Sequence, residues 1–171
     1  ICEAPIALIS LVDEDRQWFK AKVGVSLTET ARDISFCAHA IMNQGILIVP
    51  DATKDLRFKN NPMVLGPHKI RFYAGAPLIT PDGYALGTLC VLDRKPRQLR
   101  PGQKQALLVL AHHVVSQLEL RRHARELVAA RVDGSKQRAE LLRARAEIVR
   151  LRNQLARYQK MKRPAGQVRR S

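Results

Sequence analysis

The order of apolar and polar positions changes period several times along the chain. Residues 4–13, A-P-I-A-L-I-S-L-V-D, form a near-continuous apolar run with β-branched side chains, the pattern of a strand buried on both faces. Asp13-Glu14-Asp15 is a polar turn. From Gln17 to Val23 the pattern alternates, with Phe19, Ala21 and Val23 on one face and Trp18, Lys20 and Lys22 on the other. These two segments predict a hairpin. Between Thr30 and Asn43 the period becomes helical through Ile34, Ala38 and Ile41, and Gly45 ends it. Ile46–Val49 predicts a short third strand. The polar stretch from Pro50 to Pro67 carries the breakers Asn60-Asn61-Pro62 and Gly66-Pro67, with a short helix around Leu56 and Phe58. Arg71–Thr80 alternates again, Pro81-Asp82-Gly83 signals a turn, and Tyr84–Asp93 alternates after it, a second antiparallel hairpin.

From Pro101 onward the pattern is helical, with Leu107, Leu110, Ala111, Val114 and Leu118 as one apolar stripe. Arg100, just before it, is a poor N-cap. A seam with alternating steps of three and four continues through Leu120, His123, Leu127, Ala130, Gly134 and Gln137. It becomes regular at Leu141, Ala144, Ile148, Leu151, Leu155 and Tyr158, the a/d positions of a coiled coil. Asp133-Gly134-Ser135 interrupts it, since glycine costs about 1 kcal/mol against alanine in a helix. Beyond Lys160 the tail is basic, contains Pro164 and Gly166, and is expected to be disordered.

Charge divides the chain at the same place. Residues 1–120 hold 14 Lys+Arg against 11 Asp+Glu, whereas residues 121–171 hold 16 against 4. The expected organisation is a globular domain over 1–120, a basic helix over 121–160 and a tail over 161–171. No run is long and apolar enough to span a membrane. Cys2, Cys37 and Cys90 are too few and scattered for a disulfide framework, so a reducing, cytoplasmic setting is expected. The chain opens at Ile1 inside an apolar stretch and is read as a piece of a longer protein.

The succession S-F-C-A-H-A-I, V-P-D-A, R-F-Y-A-G-A-P-L and P-D-G-Y-A-L-G-T-L-C-V-L-D resembles a bacterial GAF domain over roughly residues 3–120. The resemblance implies an α+β fold of GAF/PAS type. Its antiparallel sheet has five or six strands flanked by helices, and a long C-terminal helix carries the output. It also implies a small-molecule pocket roofed by residues 32–43 and 50–70. Family members begin with a helix that is missing here. They serve as sensory inputs to histidine kinases, diguanylate cyclases or transcription regulators.

On that resemblance the candidate ligand-binding residues are Phe36, Cys37, His39, Asp51, Arg57, Arg71, Tyr73 and Thr88. Each has a plainer reading. Cys37 and His39 are two apart, so on a helix they point in different directions and cannot chelate together. They are either pocket lining or a buried thiol and a hydrogen-bonded imidazole. Asp51 either reaches the pocket or caps a short helix after it. Arg71 pairs with a carboxylate ligand, or with Asp51 or Asp55. Phe72 and Tyr73 take opposite faces of their strand, one toward the pocket and one under the helices. No Ser-His-Asp order, metal triad or phosphate-binding loop is present.

The leading expectation is a non-catalytic sensory module that binds an unidentified small ligand. It dimerises through its C-terminal helix and relays to a histidine kinase or another output protein. No cofactor is assigned. The alternative is an adaptor whose arginine-rich helix contacts nucleic acid or an acidic partner weakly, non-specifically and in a salt-sensitive manner. A methionine-sulfoxide-reductase-like activity would need Cys37 and Cys90 to meet.

Overall fold

Ile6–Val12 (β1) and Arg16–Val23 (β2) form the first hairpin, as their patterns predict. The pairing contains a bulge. Ile9 lies opposite Ala21, but the next residue, Ser10, lies opposite Phe19, so Lys20 is passed over. The extra residue breaks the period-2 alternation. Phe19 therefore shares a face with Leu8, while Ala21 and Val23 turn to the other face with Ile9 and Ala7. The expectation that Phe19, Ala21 and Val23 share one face is corrected.

The segment from Thr30 to Asn43 is not one helix. Glu29–Ala31 (β3) pairs with β2, because Thr30 faces Gln17 and accepts a hydrogen bond from its amide at 2.8 Å. Only Phe36–Ala40 (α1) is helical. Leu47–Val49 (β4) follows. The stretch around Leu56 and Phe58 is a series of turns, and the short helix lies later, at Pro62–Leu65 (α2). There the residues expected to break structure start it. The Asn61 side chain accepts the Met63 N–H at 2.8 Å as an N-cap, and Pro62 occupies the first turn.

Phe72–Ile79 (β5) and Ala85–Asp93 (β6) make the second hairpin, with an irregular register after Pro77. The six strands form one antiparallel sheet in the order β3-β2-β1-β6-β5-β4. This is an α+β architecture. Strand β5, next to the edge strand β4, is buried on both faces, and its consecutive aromatics separate. Phe72 packs with Ala74, Ala76 and Leu78 against the last helix; Tyr73 packs on the opposite side with α1 and the 50–70 connection.

That last helix, Pro101–Met161 (α3), begins where the proline predicts. Gln103 compensates for the missing cap by accepting the Arg100 N–H at 3.0 Å. Its buried stripe is Leu107, Ala111 and Val115, with Val114 half-buried; Leu110 is exposed. A spacing of four, rather than the expected mixture through Leu110, sets the covered face.

The computed structural model describes residues 1–161, in two compact units divided between Leu120 and Arg121. In the second unit α3 runs through Gly134 without a break, and Ser135 donates back to the Val132 carbonyl at 2.7 Å. The expected interruption at 133–135 is thus corrected for the helix itself. Leu141, Ala144, Ile148 and Leu151 are all exposed in the single chain. The side chains of Leu155 and Tyr158 and the expected tail lie outside the described residues. No described helix is long and apolar enough to cross a membrane.

Candidate functional site

The site is organised by α1. Ser35 caps this helix by accepting the Ala38 N–H at 3.0 Å, and its hydroxyl donates to the Gln17 side-chain oxygen. Gln17 in turn holds Thr30 on β3, so a buried polar chain ties α1 to one edge of the sheet. The five residues of α1 then face two ways. Phe36, Cys37 and Ala40 are buried, while His39 is exposed.

On the buried side, four of the predicted residues come together. The Phe36 ring stacks on Phe58 at 4.1 Å and on Tyr73 at 5.2 Å between centroids. The Tyr73 hydroxyl lies 3.5 Å from both the Cys37 sulfur and the Thr88 hydroxyl. Gly75 makes room for that hydroxyl, since a Cβ there would stand 2.1 Å from it. Cys37 also meets Cys90, sulfur to sulfur at 3.8 Å, because α1 passes directly over β6. Both thiols are free and buried. Burial pushes the Cys37 thiol up, but hydrogen bonds from Cys90, Ser10, Thr88 and Tyr73 outweigh this and bring it from 9.0 to about 6. Cys90 moves the opposite way, held protonated by its hydrogen bond to Cys37 and by burial. The two thiols, in contact and shifted in opposite directions, therefore titrate as a pair rather than as separate groups. Tyr73 is raised well above 10, first by burial and then by the neighbouring thiols.

On the exposed side, Ala38 and His39 form one wall of an open groove of about 670 Å³. Glu14 and Asp15 of the first turn, Ala31 at the end of β3, Arg32 and Asp33 after it, and Met42 complete it. The His39 ring meets Phe58 edge-on at 4.8 Å, so the aromatic stack reaches from the core to this groove. Arg32 is held there by donating to the Asp13 carbonyl at 2.7 Å. A small, partly open pocket of about 30 Å³ lies among Phe19, Met63 and Ile70.

The other candidates lie apart from this hub. Asp51 closes a turn, accepting the Thr53 N–H at 3.1 Å and the Thr53 hydroxyl at 2.7 Å; no helix follows it to cap. The Thr53 hydroxyl is the main cause of its lowered pKa. Arg57 forms a forked pair with Asp55 at 2.9 and 2.6 Å and lies over the Phe58 ring. Arg71 pairs with neither Asp51 nor Asp55. It donates to the carbonyls of Val64 and Ile70, at 2.9 and 3.0 Å, and so anchors the loop above β5. Among the described residues no three His, Cys, Asp or Glu side chains converge as a metal site would require.

Phe58 falls in the 50–70 connection expected to roof the pocket but is not among the candidate residues, although it is fully buried at the centre of the stack. Its signal was faint, a lone aromatic in a polar stretch. The groove residues Arg32 and Met42 lie in the 32–43 segment expected to roof the pocket, with no individual signal of their own.

Comparison with known proteins agrees with this architecture. The GAF domain family model matches residues 1–118. A protein of Pseudomonas aeruginosa named cyclic di-GMP phosphodiesterase PA2567 is 48% identical over 130 residues, 76% of this chain and 20% of that protein. The chain thus spans about a fifth of that relative's length. The GAF domain of a phosphoenolpyruvate-protein phosphotransferase from Coxiella burnetii superposes with a TM-score of 0.58 at 16% identity, covering 72% of this chain and 76% of that one. A free methionine-R-sulfoxide reductase from Neisseria meningitidis gives 0.57 at 19% identity, with 71% of each chain covered. At these identities the two structures speak for the fold alone.

Proposed function

The chain belongs to the GAF family, and from that premise we propose that it is a regulatory input module of a signalling protein, binding a small molecule and passing the change to α3. The observation that carries this reading is the division of α1. One short helix presents His39 to an open groove and Phe36 and Cys37 to the buried stack. A ligand that engages the groove wall must press on side chains already close-packed against β5 and β6. Arg32, His39, Glu14 and Asp33 give the groove both signs of charge, which suits a small polar or zwitterionic ligand. Phe36, Cys37, Tyr73 and Thr88 then act as the responsive layer beneath that ligand. Asp51, Arg57 and Arg71 shape the 50–70 connection, which meets the buried stack through Phe58 rather than lining the groove.

The reading assigns the chain no reaction of its own. Its relative among cyclic di-GMP phosphodiesterases supports a place beside an output domain that handles a second messenger. Native mass spectrometry of the protein purified from its own host tests ligand binding. We expect a bound small molecule that is lost from His39→Ala; retention of the same mass by that variant would place the ligand elsewhere. Output requires a dimer, built on the exposed seam Leu141, Ala144, Ile148 and Leu151 and continued by Leu155 and Tyr158. Sedimentation should show a dimer that Leu151→Asp converts to monomer, and an unchanged mass would remove the seam from the reading.

A further inference from the structure

The second unit contains only four acidic residues, and they recur every seven positions: Glu126, Asp133, Glu140 and Glu147. Five residues after each stands an arginine: Arg131, Arg138, Arg145 and Arg152. All eight are exposed on α3, which passes through them unbroken. A separation of five does not bring two side chains together on one helix, so this matching is not explained by pairing within the chain. Glu126, for example, meets Arg122 one turn earlier, at 3.8 Å.

The seam gives the spacing its meaning. With Leu127, Gly134, Leu141 and Ile148 as a positions, every acid immediately precedes an a residue and is a g position. With Ala130, Gln137, Ala144 and Leu151 as d positions, every one of these arginines follows a d residue and is an e position. In a parallel, in-register pair, each g residue lies against the e residue five positions on in the other copy. Glu126 then meets Arg131 of a second copy, and the three later pairs follow in the same way. In an antiparallel pair g faces g and e faces e, which sets acid against acid and arginine against arginine along the whole seam. Ile148 at a with Leu151 at d also favours two strands.

We infer that Arg121–Met161 is the docking surface for a second copy of this chain, in a parallel, in-register coiled coil whose direction is set by the acid and arginine rows flanking the seam. The inference rests on the dimer of the reading above and adds its orientation and register. Four of the thirteen arginines in residues 121–171 are thereby assigned to the partner copy rather than to an unrelated anionic surface.

Disulfide trapping in the full chain tests orientation. Ala130→Cys and Ile148→Cys are made separately and oxidised, with the wild type as control for the buried Cys2, Cys37 and Cys90. In the parallel pair each variant cross-links to itself. In an antiparallel pair centred on residue 139, residue 130 faces residue 148; a covalent dimer forming only in the mixture, or a dimer in which neither variant cross-links to itself, overturns the inference while leaving the dimer intact. A wild type that stays monomeric and cross-links with neither variant overturns the dimer as well. The charge rows are tested by R131E/R138E/R145E/R152E, which should weaken association roughly tenfold or more at low salt. Adding E126R/D133R/E140R/E147R to it should restore association. Equal association by all three proteins overturns the role of the rows.

Discussion

At the residue scale the site depends on Phe58. Its ring is fully buried, stacked on Phe36, met edge-on by His39 and covered by the Arg57 guanidinium. Removing it leaves a cavity that three side chains cannot fill without moving. Phe58→Ala should lower stability by about 3–5 kcal/mol in chemical denaturation, the range for a large aromatic lost from a core. A change below about 1 kcal/mol would mean that α1 collapses onto the vacancy, and that the stack is softer than its geometry implies.

At the element scale the 50–71 connection is held by local polar bonds rather than by regular structure. Asp55 accepts the Arg57 N–H and its guanidinium, while the Asp55 carbonyl accepts from Phe58 and Lys59. Its hydrogen bonds to Arg57 hold the Asp55 carboxyl below the usual carboxylate range. A carboxylate depressed in the folded state stabilises fully above its unfolded pKa of about 3.9, and that contribution is lost as pH falls through the lower folded value. Acid titration should therefore release this loop, and Asp55→Asn should remove that part of the pH dependence; an identical acid profile in the variant would assign the loss to other groups. The hairpins β1–β2 and β5–β6 were legible because each strand announces its own period. The bulge at Lys20 was not, because one passed-over residue leaves the composition of the strand unchanged. Nor was β3, since Thr30 is a strand residue only by virtue of Gln17 across from it. For the site, Cys37, Tyr73 and Thr88 could be read from their motifs. Phe58 could not, because its burial is produced by α1, eighteen or more positions away in the chain.

At the scale of the whole molecule the two units are stabilised in different ways. Residues 1–120 bury a core on both sides of a sheet. From Arg121 to Met161 the chain is helical, and its described apolar side chains are exposed, Leu127 at 72% and Leu141 at 53%. A helix without packing partners is marginal in water, so this helicity should depend on association. Dilution through the dimer's dissociation constant should reduce far-ultraviolet ellipticity at 222 nm. The near-ultraviolet signal of the sheet aromatics should stay constant over the same range. Ellipticity independent of concentration would show that the helix stands without a second copy. The seven-residue spacing of the acids lies open in the sequence, but it acquires meaning only on a helix that continues through Gly134.

The separation of Phe72 from Tyr73 has a consequence for heredity. Because neighbours on β5 serve different layers, the strand can tolerate exchange of one apolar side chain for another far better than the gain or loss of a single codon. An in-frame insertion just before Phe72 would exchange the two layers' side chains along the strand. The hydroxyl now among sulfurs would be delivered beneath α3, and a phenyl ring would take its place beside Cys37. Lineages carrying this domain should therefore vary β5 by substitution while keeping its length fixed, and place their insertions in the turn at Pro81-Asp82-Gly83.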